Sequence, residues 1–270
     1  MSAARGPIGV FDSGVGGLTV LRALRTALPA EDFIYLGDTA RLPYGTKSAA
    51  SVVRYSLQCA DALMDRGIRC LVVACNTVSS CALGALRSRY PGVRVIGVIE
   101  PGAAAAVAAS RSRHVAVIGT EGTITGGAYQ DAIRRIDAGV RVTANACTLF
   151  VAMAEEGWTQ GPIAEAVARR YLDPIFEDAD ARPDTLVLGC THFPVLSAPM
   201  RAVLPAAVTI IDSAATVAGV VARELDSPVL SGGGGAVTWL ATDGAARFAR
   251  VGGIFLGQAL RADEIEIVDL

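Results

Sequence analysis

The feature that most constrains this chain is a repeat: a short apolar run ending in a cysteine, followed at once by polar residues. Leu71-Val-Val-Ala-Cys75-Asn-Thr77 aligns with Leu186-Val-Leu-Gly-Cys190-Thr-His192, identical at three of seven positions. Each block has an earlier apolar run upstream: Val10 stands 65 residues before Cys75, and Val117 stands 73 before Cys190. Short apolar runs alternating with helical stretches mark βαβ units on a parallel sheet. In the first half, strands are expected at Ile8–Phe11, Phe33–Leu36, Leu71–Ala74 and Arg94–Val98, and helices at Leu18–Leu28, Ala49–Arg66 and Thr77–Tyr90. The pattern restarts with strands at Val115–Gly119, Val140–Ala144, Thr185–Leu188 and Val208–Ile211. Between and after these lie a Gly- and Thr-rich turn at Thr120–Gly127 and helices at Tyr129–Ile136, Ile163–Glu177, Val195–Leu204 and Thr216–Leu225. Towards the end, Ser231–Gly235 reads as the turn of a loose hairpin joining Pro228–Leu230 to Val237–Ala241, before a helix at Ala245–Leu260 and a strand at Glu264–Val268. Two similar α/β halves would place matching strand ends in one crevice, where ligands of open α/β sheets bind.

Composition narrows the class. The 270 residues suffice for one large domain or two of about 100–150. Lys and Arg number 24 against 26 Asp and Glu and form no basic block, which disfavours nucleic acid as the partner. The most apolar stretch, Pro101–Ala109, falls well short of the roughly 20 residues of a membrane span. Met1–Pro7 lacks the apolar core of a signal peptide, so a cytoplasmic enzyme with no membrane partner is expected. Of the six cysteines, none forms a C-x2-C pair, and His114 and His192 are isolated, so neither a zinc site nor a disulfide framework is expected.

Taken singly, Cys75 or Cys190 reads as an ordinary buried thiol. As a matched pair, each at a strand end before a helix, they read as functional, because a helix N-terminus lowers a thiol pKa. Asn76, Thr77 and Thr191 supply capping groups that also suit a carboxylate. Two facing thiols can form a disulfide, or they can invert a stereocentre. The second use needs one group to take a proton from one face of a carbon and another to return it on the opposite face. Asp12 and His192 are the candidate partners of the first and second thiol, although either also serves as a helix cap. Gly14-Val-Gly-Gly17 follows a strand and opens a helix but lacks the dinucleotide pattern, so its glycines are expected to admit a small ligand or the opposite half. In Gly37-Asp-Thr-Ala-Arg-Leu-Pro-Tyr-Gly45, Tyr44 and the Gly45 N–H are candidates for a distal carboxylate.

Asp12-Ser-Gly-Val-Gly-Gly17, the 37–45 loop, Ala74-Cys-Asn-Thr77 and Gly189-Cys-Thr-His192 together resemble the bacterial glutamate racemases of the aspartate/glutamate racemase superfamily, in the family's order. The resemblance implies two α/β domains, pseudo-twofold related, with the active site in the cleft between them. Residues 1–98 plus 211–270 would form the first domain, and 99–210 the inserted second. It implies a reaction with no cofactor and no metal that supplies D-glutamate for peptidoglycan. Cys75 would take the α-proton from D-glutamate and Cys190 from L-glutamate, assisted by Asp12 and His192. Asp12 and Ser13 would contact substrate, with Asp12 near the ammonium. Tyr44 and Gly45 would hold the side-chain carboxylate, and Asn76, Thr77, Thr191 and His192 the amino-acid end. Glu155 matches a family glutamate near the active site, with Glu156 its neighbour in Ala152-Met-Ala-Glu-Glu-Gly157. Cys147-Thr-Leu-Phe150 departs from the more usual Cys-Pro-Leu-Phe. With eleven residues before Asp12, activation by UDP-MurNAc-L-Ala is not expected, and a homodimer is. The competing readings are an aspartate racemase or related isomerase, and a non-catalytic thiol or ligand-binding protein.

Overall fold

A computed structural model describes residues 6–179, 181–225 and 234–270. The chain opens with β1 (Ile8–Asp12), α1 (Leu18–Ala27), β2 (Phe33–Gly37) and α2 (Ala49–Met64). Then come β3 (Cys70–Val73), α3 (Asn76–Cys81), α4 (Leu83–Arg89), β4 (Arg94–Gly97) and α5 (Ile99–Ala109). The second run holds β5 (His114–Gly119), α6 (Glu121–Thr125), α7 (Ala128–Ile136), β6 (Arg141–Ala146), α8 (Leu149–Glu155) and α9 (Pro162–Phe176). It closes with β7 (Thr185–Gly189), α10 (Ser197–Val203), β8 (Thr209–Asp212) and α11 (Ser213–Glu224). The chain finishes with β9 (Val237–Ala241), α12 (Ala245–Leu256) and β10 (Ile265–Ile267).

These strands form two parallel sheets, ordered β10-β9-β2-β1-β3-β4 and β6-β5-β7-β8. Each therefore contains the same local order, second-first-third-fourth. The register repeats too: Val10 pairs with Val72, three residues before Cys75, and Val117 pairs with Val187, three before Cys190. β1, β2, β3, β5 and β7 are buried along their whole length, as expected for parallel strands covered by helices on both faces. In each sheet the first strand lies between the second and third, so the chain winds outward from it in both directions. That is the switch point at which α/β sheets bind ligands. α1 and α11 pack together, and α11 also packs on α5, tying the two sheets to each other.

Several expected elements change in detail. The single helix expected over Thr77–Tyr90 breaks at Ala82 into α3 and α4, where Ser79 bonds the Val73 carbonyl and the Val98 amide. The turn at Thr120–Gly127 contains α6, capped by the Thr120 hydroxyl. α5 and α8 are additional helices. A 3-10 turn, Phe193–Leu196, precedes α10. The expected division at 210/211 falls inside β8, which pairs with β7 in the smaller sheet. β9 is not half of a local hairpin: it lies parallel between β2 and β10, while Pro228–Leu230 falls outside the described residues. α12 stops at Leu256, where Gly257 takes φ +77°. Among the described residues, no helix is long and apolar enough to cross a membrane.

Candidate active site

The carboxyl ends of β1, β3, β5 and β7 converge on one cavity of about 320 Å³, at the small end of the roughly 300–1,000 Å³ usual for ligand sites. Cys75 and Cys190 both line it, one from each sheet, and both are 5% exposed. All six cysteines are free thiols. Ser13, Tyr44, Gly45, Asn76, Thr77 and Thr191 also line the cavity, and so do His192 and Glu155. Among the described residues, neither Lys nor Arg lines the cavity, so a carboxylate there is held by neutral donors and by His192.

Asp12 is placed differently from expectation. It is fully buried and stands behind the wall, with its carboxylate accepting from the Gly14 N–H at 2.9 Å and the Thr191 hydroxyl at 3.5 Å. Burial raises its pKa, opposed by His192 and by the backbone N–H groups of Gly17, Gly14 and Ser13. Tyr44 also differs. Its hydroxyl donates to Asp38, which further accepts from Arg41 Nε at 2.7 Å and Thr242 at 2.8 Å. The Tyr44 hydroxyl is thus committed to holding the loop rather than offered to a ligand.

The two thiols sit in unlike surroundings. Cys75 caps α3 and donates to the Ser13 hydroxyl at 3.4 Å. Burial, and then the Asp12 carboxylate, push its pKa up to about 12, against hydrogen bonds with Ser13 and Val78. Capping a six-residue helix does not offset that burial, so the lowered thiol pKa expected for Cys75 is not found. Cys190 Sγ lies 3.9 Å from His192 Nδ1, while His192 Nε2 lies 3.1 Å from Glu155 Oε1. Burial works against charge on His192. The bonds to Cys190 and Glu155, with the fields of Cys190 and Asp12, nevertheless lift its pKa to about 10. Glu155 is held below the usual range, first by its bond to His192 and then, against burial, by Arg247. The choice between neighbours is therefore clear: Glu155 reaches His192, and Glu156 caps α8.

Asn76 is another informative residue. Its Oδ1 accepts from Tyr129 at 2.8 Å, whereas its buried Nδ2 has no hydrogen-bond partner among the described residues. A buried donor left unpaired costs about 1–3 kcal/mol, so this group fits an acceptor that a ligand brings. At the Gly45 end of the cavity, the Thr77, Thr120 and Thr123 hydroxyls lie within 3.0–3.3 Å of one another. Thr120 and Thr123 are not among the expected site residues, nor are Leu42, Thr148 and Val151. The sequence does hold a signal for Thr120, since it follows β5 as Ser13 follows β1.

The halves interlock at the site. The Thr19 hydroxyl is shared between the carbonyls of Gly16, at 2.9 Å, and Thr191, at 3.1 Å. A Cβ on Gly16 would overlap the His192 imidazole, so the glycine admits the opposite half, one of the two uses expected of it.

Two free thiols at equivalent strand ends of twin parallel sheets line one cavity, an arrangement chemically able to take a proton on one side and return it on the other. The chain belongs to the Asp/Glu/hydantoin racemase family, whose model matches residues 8–221. It is 51% identical over 258 residues to the glutamate racemase of Geobacter metallireducens, covering 94% of this chain and 93% of that one. Among solved structures it resembles the Francisella tularensis glutamate racemase in complex with D-glutamate, with a TM-score of 0.89 and 35% identity over 98% of each chain. The Thermus thermophilus glutamate racemase in complex with β-chloro-D-alanine gives a TM-score of 0.85 at 43% identity, again over 98% of each chain.

Proposed function

We propose that this enzyme interconverts L- and D-glutamate by proton transfer between Cys75 and Cys190. The observation that carries the reading is that both thiols line one small cavity from matching strands of two sheets. The surroundings of Cys75 support a direction for its proton. With its pKa near 12, Cys75 is a neutral thiol at pH 7, ready to donate. Cys190 Sγ has His192 Nδ1 3.9 Å away, a group able to exchange a proton with it. Cys190 thiolate takes the α-proton of L-glutamate, leaving the electron pair on the carbanion. Cys75 then delivers its proton to the opposite face, giving D-glutamate, a Cys190 thiol and a Cys75 thiolate. The reverse reaction starts from that second state.

The α-carboxylate supplies the acceptor that Asn76 Nδ2 lacks, with the Thr191 hydroxyl and the Thr77 backbone beside it. The side-chain carboxylate lies against Gly45 and the three threonine hydroxyls. Ser13 contacts substrate, and Asp12 attracts the ammonium from behind it. The first domain comprises the six-stranded half at the two ends of the chain and the second the four-stranded half between them, with the return to the first placed after β8 rather than at 211. The family resemblance supports a cytoplasmic homodimer that feeds D-glutamate to peptidoglycan synthesis without cofactor or metal.

The test is circular dichroism of L-glutamate and L-aspartate, followed in parallel with wild-type protein and with Cys75→Ser and Cys190→Ser. Glutamate signal should decay much faster than aspartate. Each serine variant should lose at least about a thousandfold in rate, within the range for a positioned acid–base group. Faster aspartate decay would move the reading to the sister racemase. A serine variant at full rate would remove the two-thiol account.

A further inference from the structure

α12 belongs to the six-stranded half but reaches the Cys190 side of the cavity. Arg247, Val251 and Phe255 are spaced four apart, on one face of the helix. At the far end of that stripe, the Phe255 ring packs edge-on against the His192 ring, with centroids 4.9 Å apart at 72°. At the near end, an Arg247 guanidinium nitrogen lies 2.6 Å from Glu155 Oε2. Arg247, Val251 and Glu155 also line a small side cavity of about 130 Å³ behind the main one. The Glu155 carboxylate is therefore held on both oxygens, Oε1 by His192 and Oε2 by Arg247. Glu155 is the last residue of α8, and the chain turns away at Gly157 with φ +75°. A side chain at a helix end has fewer neighbours to fix its rotamer, so the second bond determines where the first one points.

We propose that Arg247 is a positioning residue of the racemase: through Glu155 it aims the His192 imidazole at Cys190, making α12 part of the proton-transfer apparatus. The inference rests on the proton-transfer reading for its catalytic consequence, but the contact itself is testable without turnover. The competing view is an ordinary surface ion pair. The Arg247 side chain is 54% exposed, and exposed pairs contribute little to stability. The two views differ in what happens at His192.

The chain has two histidines, so protein labelled with 15N-histidine gives two ring spin systems. His114 serves as the internal reference, bonded to Thr143 and Arg141 at the start of β5. Arg247→Gln should shift the His192 ring resonances and leave those of His114 in place. It should also lower kcat for glutamate about three- to tenfold, the equivalent of one partly exposed charged contact, with KM within twofold. Arg247→Lys should restore most of both. Arg250→Gln, an exposed change on the same helix, should alter neither. Unshifted His192 resonances in Arg247→Gln would overturn the proposal, as would a fall in kcat that lysine fails to rescue. Wild-type protein that racemises no glutamate would fail the proposed function alone, because the resonances report the contact independently.

Discussion

Gly16 and His192 touch across the two halves, with no room between them for a methyl group. A Cβ on Gly16 would overlap His192 Nδ1 and fall 2.5 Å from the Thr191 hydroxyl oxygen. Gly16→Ala should therefore push the Cys190–Thr191–His192 turn away from its position, and kcat/KM for glutamate should fall by about a hundredfold, as for a misplacement near 1 Å. Gly84 in α4 has open space where a methyl would stand, with nothing within 4 Å, so Gly84→Ala should leave activity unchanged and add about 0.5–1 kcal/mol of stability. Equal activities for the two variants would contradict the interlocked geometry.

Tyr44 separates loop support from ligand contact. Its hydroxyl is bound to buried Asp38, so Tyr44→Phe removes a charged hydrogen bond worth about 1–3 kcal/mol. Urea denaturation should show a loss in that range, while KM for glutamate stays within about threefold. A tenfold rise in KM with unchanged stability would instead put the hydroxyl on the substrate.

His192 gives the pH dependence of stability. Its folded pKa, near 10, lies above the ordinary 6.5, so the folded state binds this proton more tightly. The resulting stabilisation is fully present below about pH 6.5 and is lost as pH rises through about 10. Wild type should exceed His192→Gln in stability most at low pH, with the gap narrowing by at least about 1 kcal/mol between pH 7 and pH 10. Denaturant titrations across that interval measure it. A constant gap would show that the imidazole is not held as a cation.

Much of this site is legible in the sequence, because its polar residues follow apolar strands directly. The Cys75 and Cys190 blocks announce strand ends, and the Val10–Val72 and Val117–Val187 registers reproduce the spacing of the repeat. Arg247 and Phe255 are not legible there. They reach the site through packing of a C-terminal helix, which leaves no local pattern beyond helical periodicity. The Cys75 pKa escapes the sequence for a related reason: a strand-end thiol suggests a lowered pKa, but burial beside Asp12 is a tertiary effect that reverses the sign. Tyr44 reads as a ligand donor because its partner, Asp38, is close in sequence but forms the bond only once the loop is folded back.

The most direct test of two-sided proton transfer is the fate of solvent deuterium. L-Glutamate is incubated with the enzyme in deuterated water, and both enantiomers are separated at low conversion. Cys75 exchanges its thiol proton with solvent before each turnover and delivers it to the face opposite Cys190. The first-formed D-glutamate should therefore carry deuterium at the α-carbon, while unreacted L-glutamate remains protiated. D-Glutamate that retains protium, or label entering L-glutamate as fast as the product, would contradict a mechanism with one thiol on each face.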